Sequence, residues 1–558
     1  MIRHLRLPNN EKLLLPILLE ELLHNYGDRR VSFHDDLRGF DGAPQREQSL
    51  AELVAEVSAL CRFLRDQVGL KRGERIAIYK SNDARYFRWF LAVIRAGGIA
   101  VPINPLLSFT EARRIIVECT AMAIVTDSTI IAPHLNELES LASIQFIQDV
   151  GEELIPGFVQ PTADLLRTPA LPAVDVGLDE TIAVFYTSGT LGKPSGAMLS
   201  SRSFLVARPL ASLIKPLAGN NDIALFPLPW AHVYAVTTAI VGLMAGVPAH
   251  FMTRFEARRA IEIIWKQKIT AFIGVPAMLV KLMEAHPSID QLRSIKLWVS
   301  AADHLPPACR DQLMKYGASF KLFGKRVTRP LLINAYGMVE LGGIAMVSVD
   351  APLIPGKGEL CIPLPHIRVR IVDEHDKEQP RGIVGECLIK STGNISAYWK
   401  APDATERLIT LDKWVRTGDL AKRTRAGFIK LIGRAKDVIK SGGYLIHPQE
   451  IEDVISSHPL VSRAVVVGMP HRQLGEIPVA VVESRADSKP FETELLELCR
   501  THLATFKQPR EVYVFKPGGI PEGPTNKALR GAVREKLGAT LCVRATDTLH
   551  KRPSGSCP

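Results

Sequence analysis

The most informative stretch of this chain is TIAVFYTSGTLGKPSGAMLS, residues 181–200. Its first seven residues, TIAVFYT, are apolar or β-branched and predict a strand. The strand leads into a loop rich in glycine and hydroxyl residues that contains Lys193. Exposed amides, hydroxyls and a lysine together suit a polyphosphate, although the loop lacks the GxxxxGK[ST] pattern of a Walker motif. For the loop considered alone, an ordinary surface connection is the alternative.

Helices and strands alternate on both sides of this loop. Residues 49–70 and 86–98 repeat apolar side chains at helical spacing, and residues 73–80 form a short apolar run typical of a strand. The same alternation continues from 180 to 350, which predicts an α/β layer architecture with parallel strands. From 355 to 432 short strands are separated by turn residues, which indicates antiparallel sheet or a small barrel.

A second α/β unit begins after GRAKDVIKSGG, residues 433–443. Helical patterns over 447–459 and 491–503 enclose the apolar runs RAVVVGMP and PVAVVES. We therefore predict three regions. A large N-terminal domain over 1–436 holds α/β layered subdomains and a small antiparallel barrel-like subdomain. A small mobile α+β domain follows over 437–540, and a flexible tail over 541–558.

The composition is that of an ordinary globular protein, with 46% hydrophobic and 23% charged residues among 558. This excludes a mainly disordered chain, a collagen and a coiled coil. The 8 cysteines are scattered, which predicts reduced thiols and a cytoplasmic protein. The N-terminus lacks the apolar core of a signal peptide. The most apolar window, 235–251, is shorter than the roughly 20 residues of a membrane span and predicts a buried helix.

The formal net charge of +11 suits an anionic partner: a nucleotide, coenzyme A, an acidic carrier protein or nucleic acid. The positive charge is spread along the chain, so it does not choose among these partners. Because the sequence has no basic stripe interleaved with aromatic residues, nucleic acid is the least favoured of them.

Five further segments lie downstream of the loop: PLPWAHVYA (227–235), NAYGMVE (334–340), WVRTGDL (414–420), GRAKDVIKSGGYLIHPQEIE (433–452) and PEGPTNKALR (521–530). In this order and at these approximate distances they resemble the motifs of the adenylate-forming superfamily. That superfamily comprises acyl-CoA synthetases, adenylation domains and luciferases, and its loop is close to YTSGTTGKPKG. The resemblance covers about residues 45 to 535 and is closest to the acyl-CoA synthetases.

The resemblance implies a site for ATP, Mg²⁺ and a thiol cofactor. Tyr336 would stack on adenine, Glu340 would hold Mg²⁺, and Asp419 would accept hydrogen bonds from the ribose hydroxyls. A core tyrosine, a solvated glutamate and an ordinary turn aspartate are the alternatives for these residues considered singly. The full predicted cofactor-binding set is Thr187, Ser188, Gly189, Thr190, Gly192, Lys193, Asn334, Ala335, Tyr336, Gly337, Asp419, Arg434, Lys440, Gly442 and Gly443.

The resemblance assigns catalytic roles to Lys527, Glu340 and His232, and it assigns to Asp437 the hinge position between the two domains. Lys527 would place a positive charge on the oxygens at the α-phosphorus, although a lone lysine near the C-terminus is otherwise a surface residue. His232 would gate or line the acyl channel, with a satisfied histidine at a strand end as the rival interpretation. The predicted substrate pocket consists of His232, Val233, Ser300, Ala301, Ala302, Gly342 and Gly343.

Four residues depart from the family pattern: Leu191, Ser195, Val339 and Asn526. Together they remove two hydroxyls and one cation from the phosphate region, which should weaken MgATP binding or slow the first step. We interpret the chain as an active but divergent enzyme, with a non-catalytic homologue as the minority hypothesis.

The activity that the resemblance implies is an AMP-forming acid–thiol ligase. Amino-acid-activating relatives have an aspartate where this chain has His232, so an acid without an α-amine is favoured, fatty or aryl. The acceptor would be coenzyme A, or the phosphopantetheine of an acyl carrier protein as the alternative. The other expectations are a small-molecule carboxylic acid as substrate, no nucleic-acid partner, no transmembrane segment, and a monomer or homodimer.

Overall fold

The computed structural model describes residues 13–34, 45–149, 153–187, 194–215, 218–219, 221–319, 321–322, 325–351, 358–485, 491–522 and 528–538. Contacts divide the chain into two compact units, the first with 1–304, 313–370 and 388–417, the second with 305–312, 371–387 and 418–558. This division precedes the predicted boundary between Lys436 and Asp437. The predicted bounds therefore stay predictions, and the tail over 541–558 lies outside the described residues.

The helices cover most of the segments in which the sequence repeats apolar residues at helical spacing. They are α1 (Leu18–Tyr26), α2 (Leu50–Asp66), α3 (Ala84–Arg95), α4 (Phe109–Glu118), α5 (Ser128–Ile131), α6 (Ser201–Leu205), α7 (Arg208–Ile214), α8 (Val233–Ala245), α9 (Ala257–Gln267), α10 (Pro276–Glu284), α11 (Pro307–Leu313), α12 (Pro402–Leu408), α13 (Pro448–Ile455) and α14 (Glu492–His502). The start of α2 is fixed by a capping box, in which Ser49 and Glu52 each accept a backbone N–H of the other residue.

The strands alternate with these helices in the first half of the chain. Up to the exit of the predicted phosphate loop they are β1 (Arg30–His34), β2 (Glu47–Ser49), β3 (Arg75–Ile78), β4 (Ile99–Pro102), β5 (Ala123–Thr126), β6 (Gln145–Gln148), β7 (Thr181–Thr187) and β8 (Ser195–Ser200). The next group is β9 (Ala224–Phe226), β10 (Ala249–Phe251), β11 (Ala271–Gly274), β12 (Leu297–Ala301), β13 (Lys321–Leu322), β14 (Lys325–Arg326), β15 (Leu331–Met338), β16 (Gly343–Asp350) and β17 (Leu360–Pro363). The remainder are β18 (Arg368–Val372), β19 (Val384–Lys390), β20 (Val415–Arg423), β21 (Ile429–Arg434), β22 (Ile439–Ser441), β23 (Tyr444–Ile446), β24 (Val461–His471), β25 (Gly475–Ser484) and β26 (Glu511–Phe515).

The first unit contains a six-stranded sheet in the order β6-β5-β3-β4-β7-β8. Its pairings are parallel from β6 to β7, as the alternation of helices and strands predicts. Strand β8 is antiparallel to β7, so the two strands form a hairpin around the predicted phosphate loop. The sequence alone does not reveal β8, because SGAMLS is short and opens with a serine and a glycine.

The second sheet of this unit runs in the order β2-β1-β10-β9-β11-β12-β15-β16-β17. Strands β1 to β15 in this order pair parallel, and β2, β16 and β17 pair antiparallel. The apolar window at 235–251 forms most of the buried helix α8 and then β10, as predicted. Across the described part of the chain, no helix is both long enough and apolar enough to cross a membrane.

Charged side chains are buried at the carboxyl edge of the six-stranded sheet. Lys80, Asp127 and Asp149 follow β3, β5 and β6, and their exposed fractions are 0%, 4% and 3%. The Nζ atom of Lys80 lies 2.7 Å from Oδ1 of Asp83, 3.1 Å from Oδ2 of Asp149 and 3.8 Å from Oδ2 of Asp127. Burial alone lowers the pKa of Lys80, but these three carboxylates reverse the effect and raise it, so the lysine stays charged.

The second unit contains the antiparallel hairpin of β20 and β21 and a sheet in the order β23-β22-β25-β24, with β26 parallel to β25. Alternate residues of β24 and β25 point to opposite faces. One face packs Val466 and Ala480 against Ile451 of α13, and the other packs Val465 against residues near the C-terminus. Those residues are Val533 and Leu537, and residues 530–538 are helical, so helices cover both faces of this small sheet.

The cysteines in the described residues are buried and carry no disulfide bond, in keeping with the scattered pattern in the sequence. Burial raises the pKa of the Cys61 and Cys499 thiols to about 11, so both are neutral at physiological pH.

Candidate functional site

The stems of the predicted phosphate loop are held together by the β7–β8 hairpin. Thr187 at the end of β7 pairs with Ser195 at the start of β8, and the Thr187 hydroxyl donates to the Ser195 carbonyl at 3.4 Å. Ser195, which replaces a basic residue of the family pattern, is therefore part of the strand ladder. The predicted loop residues Ser188, Gly189, Thr190, Gly192 and Lys193, and the departure Leu191, lie outside the described residues.

Strand β15 carries the predicted nucleotide residues Asn334 to Gly337. On its parallel neighbour β12, Ser300 pairs with Asn334 and Ala301 with Ala335. These pairs bring part of the predicted pocket beside part of the predicted nucleotide site, at the carboxyl ends of two parallel strands. Ligands of α/β proteins bind at such edges. The β15–β16 register shifts between Tyr336 and Gly337, which changes the direction of the strand at this point.

The turn after β15 is packed so closely that it requires glycine. A Cβ atom on Gly337 would lie 1.7 Å from the Gly343 carbonyl oxygen. Gly342 has a φ of +76°, and a Cβ there would lie 2.3 Å from the carbonyl oxygen of Ser203. Glu340 lies in this turn on a short 3₁₀ segment, Val339–Leu341. Its position is therefore fixed by main-chain contacts on several sides.

The carboxylate of Glu340 is buried, with 5% of the residue exposed. The hydroxyl of Tyr398 donates to its Oε1 atom at 2.6 Å, and the amide of Ile395 donates to its carbonyl oxygen at 3.0 Å. Mg²⁺ in nucleotide sites is bound by one or two carboxylates plus phosphate oxygens and water. A single oriented carboxylate at this turn fits that requirement. No cluster of three or more His, Cys, Asp or Glu side chains that could hold a metal without a nucleotide exists among the described residues.

Tyr398 is a residue that sequence reasoning missed. The segment ISAYWK (395–400) carries no glycine-rich loop and no pair of charged residues, so only its three-dimensional contact with Glu340 reveals it. The adjacent aromatic residues Tyr398 and Trp399 are only a weak signal of a functional site, because aromatic residues are usually part of a core.

Helix α8, which follows the predicted pocket residue His232 and begins with Val233, contacts the same turn. His232 precedes α8 as its N-cap residue and is half-buried, and Val233 is buried. One turn along the helix, the Thr237 hydroxyl donates to the Gly342 carbonyl at 3.3 Å. The turn at 339–343 therefore connects the helix that follows His232 with the end of β15. Ser300 and Ala301 are buried, whereas Ala302 is exposed and has a φ of +75°.

In the second unit, Asp419 and Arg434 face each other across the β20–β21 hairpin. They are a cross-strand pair, and the Nε atom of Arg434 lies 2.9 Å from Oδ1 of Asp419. The structure thus brings together the two residues that the resemblance assigns to the ribose. Asp437 lies on a short 3₁₀ segment just after this hairpin, and its Oδ2 atom is 3.3 Å from Nε of Arg530.

The KSGG segment forms a two-residue hairpin turn between β22 and β23. Gly442 and Gly443 have φ values of +56° and +84°, which only glycine adopts readily at consecutive positions. Ser441 pairs with Tyr444 across the turn, and the glycines, Tyr444 and Leu445 are exposed. Lys440 is exposed on β22, and its amide donates to Oε2 of Glu476 at 3.1 Å.

Lys527 and the departure Asn526 lie outside the described residues. The residues on either side of this segment are described: Glu522 and Ala528 form an isolated antiparallel bridge, and the Leu529 amide donates to the Pro521 carbonyl at 2.9 Å. The described residues on the two sides of 523–527 are therefore held next to each other.

A family model described as "AMP-binding enzyme" matches residues 20–399, and "AMP-binding enzyme C-terminal domain" matches residues 450–522. The chain belongs to the AMP-binding enzyme family. The expected resemblance to adenylate-forming enzymes is thereby confirmed, and so is the fold class of a large α/β domain followed by a small one.

Named relatives of this AMP-binding enzyme differ in their acceptors. Long-chain-fatty-acid–CoA ligase FadD13 of Mycobacterium tuberculosis is 29% identical over 503 residues, covering 87% of this chain and 93% of that protein. Fatty acid–[acyl-carrier-protein] ligase ScoC of Streptomyces coeruleorubidus is 29% identical over 480 residues, covering 84% and 88%. The ATP-bound crystal structure of MatB from Rhodopseudomonas palustris has a TM-score of 0.78 at 24% identity, covering 94% of this chain and 99% of that chain. This last likeness concerns the fold.

Proposed function

We propose that the protein is an ATP-dependent acid–thiol ligase that activates a carboxylic acid without an α-amino group and transfers it to coenzyme A. The observation that carries the proposal is the match of both AMP-binding family models, in order, on one chain. ATP, Mg²⁺ and coenzyme A are the cofactors that go with this family.

The reaction has two displacements. A carboxylate oxygen of the acid attacks the α-phosphorus of ATP, the bond to the β-phosphate oxygen breaks, and pyrophosphate leaves. The thiol sulfur then attacks the carbonyl carbon of the acyl-adenylate, gives up its proton to solvent, and AMP leaves.

The chain's own residues position and stabilise the reacting groups in this proposal. Tyr336 stacks on adenine, Asp419 and Arg434 bind the ribose, and Glu340 is the ligand of Mg²⁺, which when bound neutralises phosphate charge. Lys527 stabilises the negative charge that develops at the α-phosphorus. Asp437 is the pivot about which the small domain turns between the two steps.

The acid in this proposal is aliphatic or aryl. His232 stands where amino-acid-activating relatives have an aspartate, so no carboxylate from PLPWAHVYA is available to pair with an α-ammonium group. Val233 and Ala301 are buried, and small apolar side chains suit an apolar acyl group. The likeness to a long-chain-fatty-acid–CoA ligase supports a fatty acid.

An acyl carrier protein is the alternative acceptor, and ScoC is the relative that favours it. Both acceptors present a pantetheine thiol, and the exposed glycine turn at Gly442 and Gly443 would let such an arm approach the main chain closely. A homologue that binds nucleotide without catalysis is the second alternative, which the departures at Leu191, Ser195, Val339 and Asn526 favour.

A substrate panel tests these alternatives directly. The purified chain is incubated with MgATP, fatty and aryl acids of graded length, and either coenzyme A or a holo carrier protein, and both pyrophosphate and thioester are measured. We expect acid-dependent pyrophosphate release and a coenzyme A thioester. Thioester on the carrier protein alone would establish the first alternative, and ATP binding without pyrophosphate release for every acid would establish the second.

Replacing Asp437 with proline is expected to spare acid-dependent pyrophosphate release and to lower thioester formation by about an order of magnitude, because proline fixes φ at the pivot. The variant also loses the contact between Asp437 and Arg530. Asp437→Ala removes that contact without stiffening the chain and is therefore the matched control. An equal loss of both steps in Asp437→Pro, or the same defect in Asp437→Ala, would argue against a hinge at this residue.

A further inference from the structure

A segment that the sequence analysis does not assign to the site contacts two parts of it. Residues 393–399, here called the bridging segment, lie along β8. The Met198 amide donates to the Ala397 carbonyl at 3.1 Å, and the Trp399 amide donates to the Gly196 carbonyl at 2.6 Å. Since β8 is the strand that leaves the predicted phosphate loop, the bridging segment is attached to the exit of that loop.

The same segment holds the turn that carries Glu340. Ile395 donates its amide to the Glu340 carbonyl at 3.0 Å, and Tyr398 donates its hydroxyl to Oε1 of the Glu340 carboxylate at 2.6 Å. A Cβ atom on Gly342 would lie 2.9 Å from the Gly393 carbonyl oxygen. Main-chain and side-chain contacts therefore fix both the position of the turn and the orientation of its carboxylate.

Tyr398 itself is firmly placed. Its main-chain amide donates to the Thr405 hydroxyl at 2.9 Å, and the residue forms a β-bridge with Ala197. An ionised carboxylate offers only acceptors, so the phenol is the donor of its hydrogen bond to Glu340.

This arrangement has a defined consequence for a metal ion. A carboxylate that ligates a metal is usually held by a hydrogen bond from a neighbouring group, which fixes its orientation. With Oε1 of Glu340 engaged by the phenol, Oε2 is the oxygen left to bind a cation. A phenol serves this purpose well because it orients the carboxylate without adding a competing positive charge.

We infer that Tyr398 is a positioning residue for the metal ion of the proposed ATP site, and that the bridging segment couples the exit of the phosphate loop to the Glu340 carboxylate. The inference rests on the proposed function for the identity of the ion and the nucleotide. It assigns a role to a residue that the sequence analysis leaves out of the site.

Tyr398→Phe tests the inference, because it removes one oxygen atom and keeps the ring. The measurement is binding of Mn²⁺ in the presence of α,β-methylene ATP, followed by the electron paramagnetic resonance signal of free Mn²⁺. We expect the Mn²⁺ dissociation constant to rise about tenfold, a typical effect of losing a partner of a metal ligand. In the catalytic assay, the Mg²⁺ concentration that gives half the maximal adenylation rate should rise by a similar factor.

Tyr79→Phe is the matched control. Tyr79 is buried and Tyr398 is half-buried; the Tyr79 hydroxyl donates to the Leu107 carbonyl at 3.1 Å, so the substitution deletes a tyrosine hydrogen bond elsewhere in the first unit. It should leave the Mn²⁺ dissociation constant unchanged. Tyr398→Phe with an affinity within about twofold of the wild type, or a wild type without a Mn²⁺ site, would overturn the inference.

A double-mutant cycle with Glu340→Gln separates positioning from a general loss of packing. If Tyr398 acts through Glu340, its substitution should change Mn²⁺ affinity by less than about twofold once Glu340 is glutamine. An equal change in both backgrounds would show a merely structural role and would also overturn the inference. These binding measurements need no acid, so a wild type that binds Mn²⁺ with the analogue yet releases no pyrophosphate would contradict the proposed function alone.

Discussion

Replacing Lys527 with alanine is expected to lower the rate of acyl-adenylate formation by about 10²–10³-fold, which is the usual effect of deleting one group that stabilises transition-state charge. The in-line attack on the α-phosphorus spreads negative charge over several oxygens, and a lysine offers a compact cation for them. ATP in its ground state is bound by other residues, so its dissociation constant should change far less. Acid-dependent pyrophosphate release measures the first quantity, and calorimetric titration with ATP measures the second.

Lys536→Ala is a suitable control for this experiment. Lys536 is another lysine of the second unit; its side chain is exposed, and its Nζ atom donates to the Gly519 carbonyl at 2.8 Å. Its loss should leave both quantities near the wild-type values. Adenylation by Lys527→Ala at the wild-type rate would show that the lysine assignment is wrong. Equal losses in rate and in ATP affinity would assign Lys527 to nucleotide binding instead.

Lys80→Met is expected to destabilise the fold by about 3–5 kcal/mol, the cost of breaking a buried ion pair from one side. The substitution keeps the length of the side chain but leaves the buried carboxylates of Asp127 and Asp149 without the nearest cation. Arg85 also contacts Asp149, with Nη1 at 3.4 Å from Oδ2, and this contact remains in the variant. The midpoint of urea unfolding, followed by circular dichroism, measures the change.

Lys266→Met supplies the comparison, because it breaks an ion pair at the surface. Lys266 lies 2.6 Å from Oε1 of Glu262, but the lysine side chain is 62% exposed. An exposed pair of this kind contributes about 0.3–0.5 kcal/mol, so the midpoint should hardly move. A similar shift in the two variants would mean that the Lys80 cluster is solvated in solution, and that its burial does not govern its energy.

Much of the fold follows from local patterns. The apolar repeats at 49–70 and 491–503 predict α2 and α14, and TIAVFYT predicts β7 with its observed bounds, Thr181–Thr187. Helices and strands of this kind are decided by which face is buried, and that information is present in the order of apolar residues. Strand β8 was not predicted because SGAMLS is short and opens with a serine and a glycine.

The candidate site likewise contains residues that the sequence predicts and residues that only the structure reveals. Motif order identifies Glu340, Asp419 and Arg434, and the structure places the last two within 2.9 Å of each other across a hairpin. Motif order does not reveal that the hydroxyl of Tyr398, 58 positions after Glu340, donates to the Glu340 carboxylate. The buried partners of Lys80 also come from separate strands, so no window of sequence contains them together.

Residue type and order along the chain are enough to predict the family, the alternation of helices and strands, and the residues that the resemblance assigns to ATP. The three-dimensional structure adds the contacts that hold particular residues in place: Tyr398 on Glu340, Thr237 on Gly342 and three aspartates around Lys80. The physical reason is that orientation comes from hydrogen bonds and ion pairs between distant segments. Their energy depends on distances of a few ångströms and on burial, and neither is encoded in local periodicity.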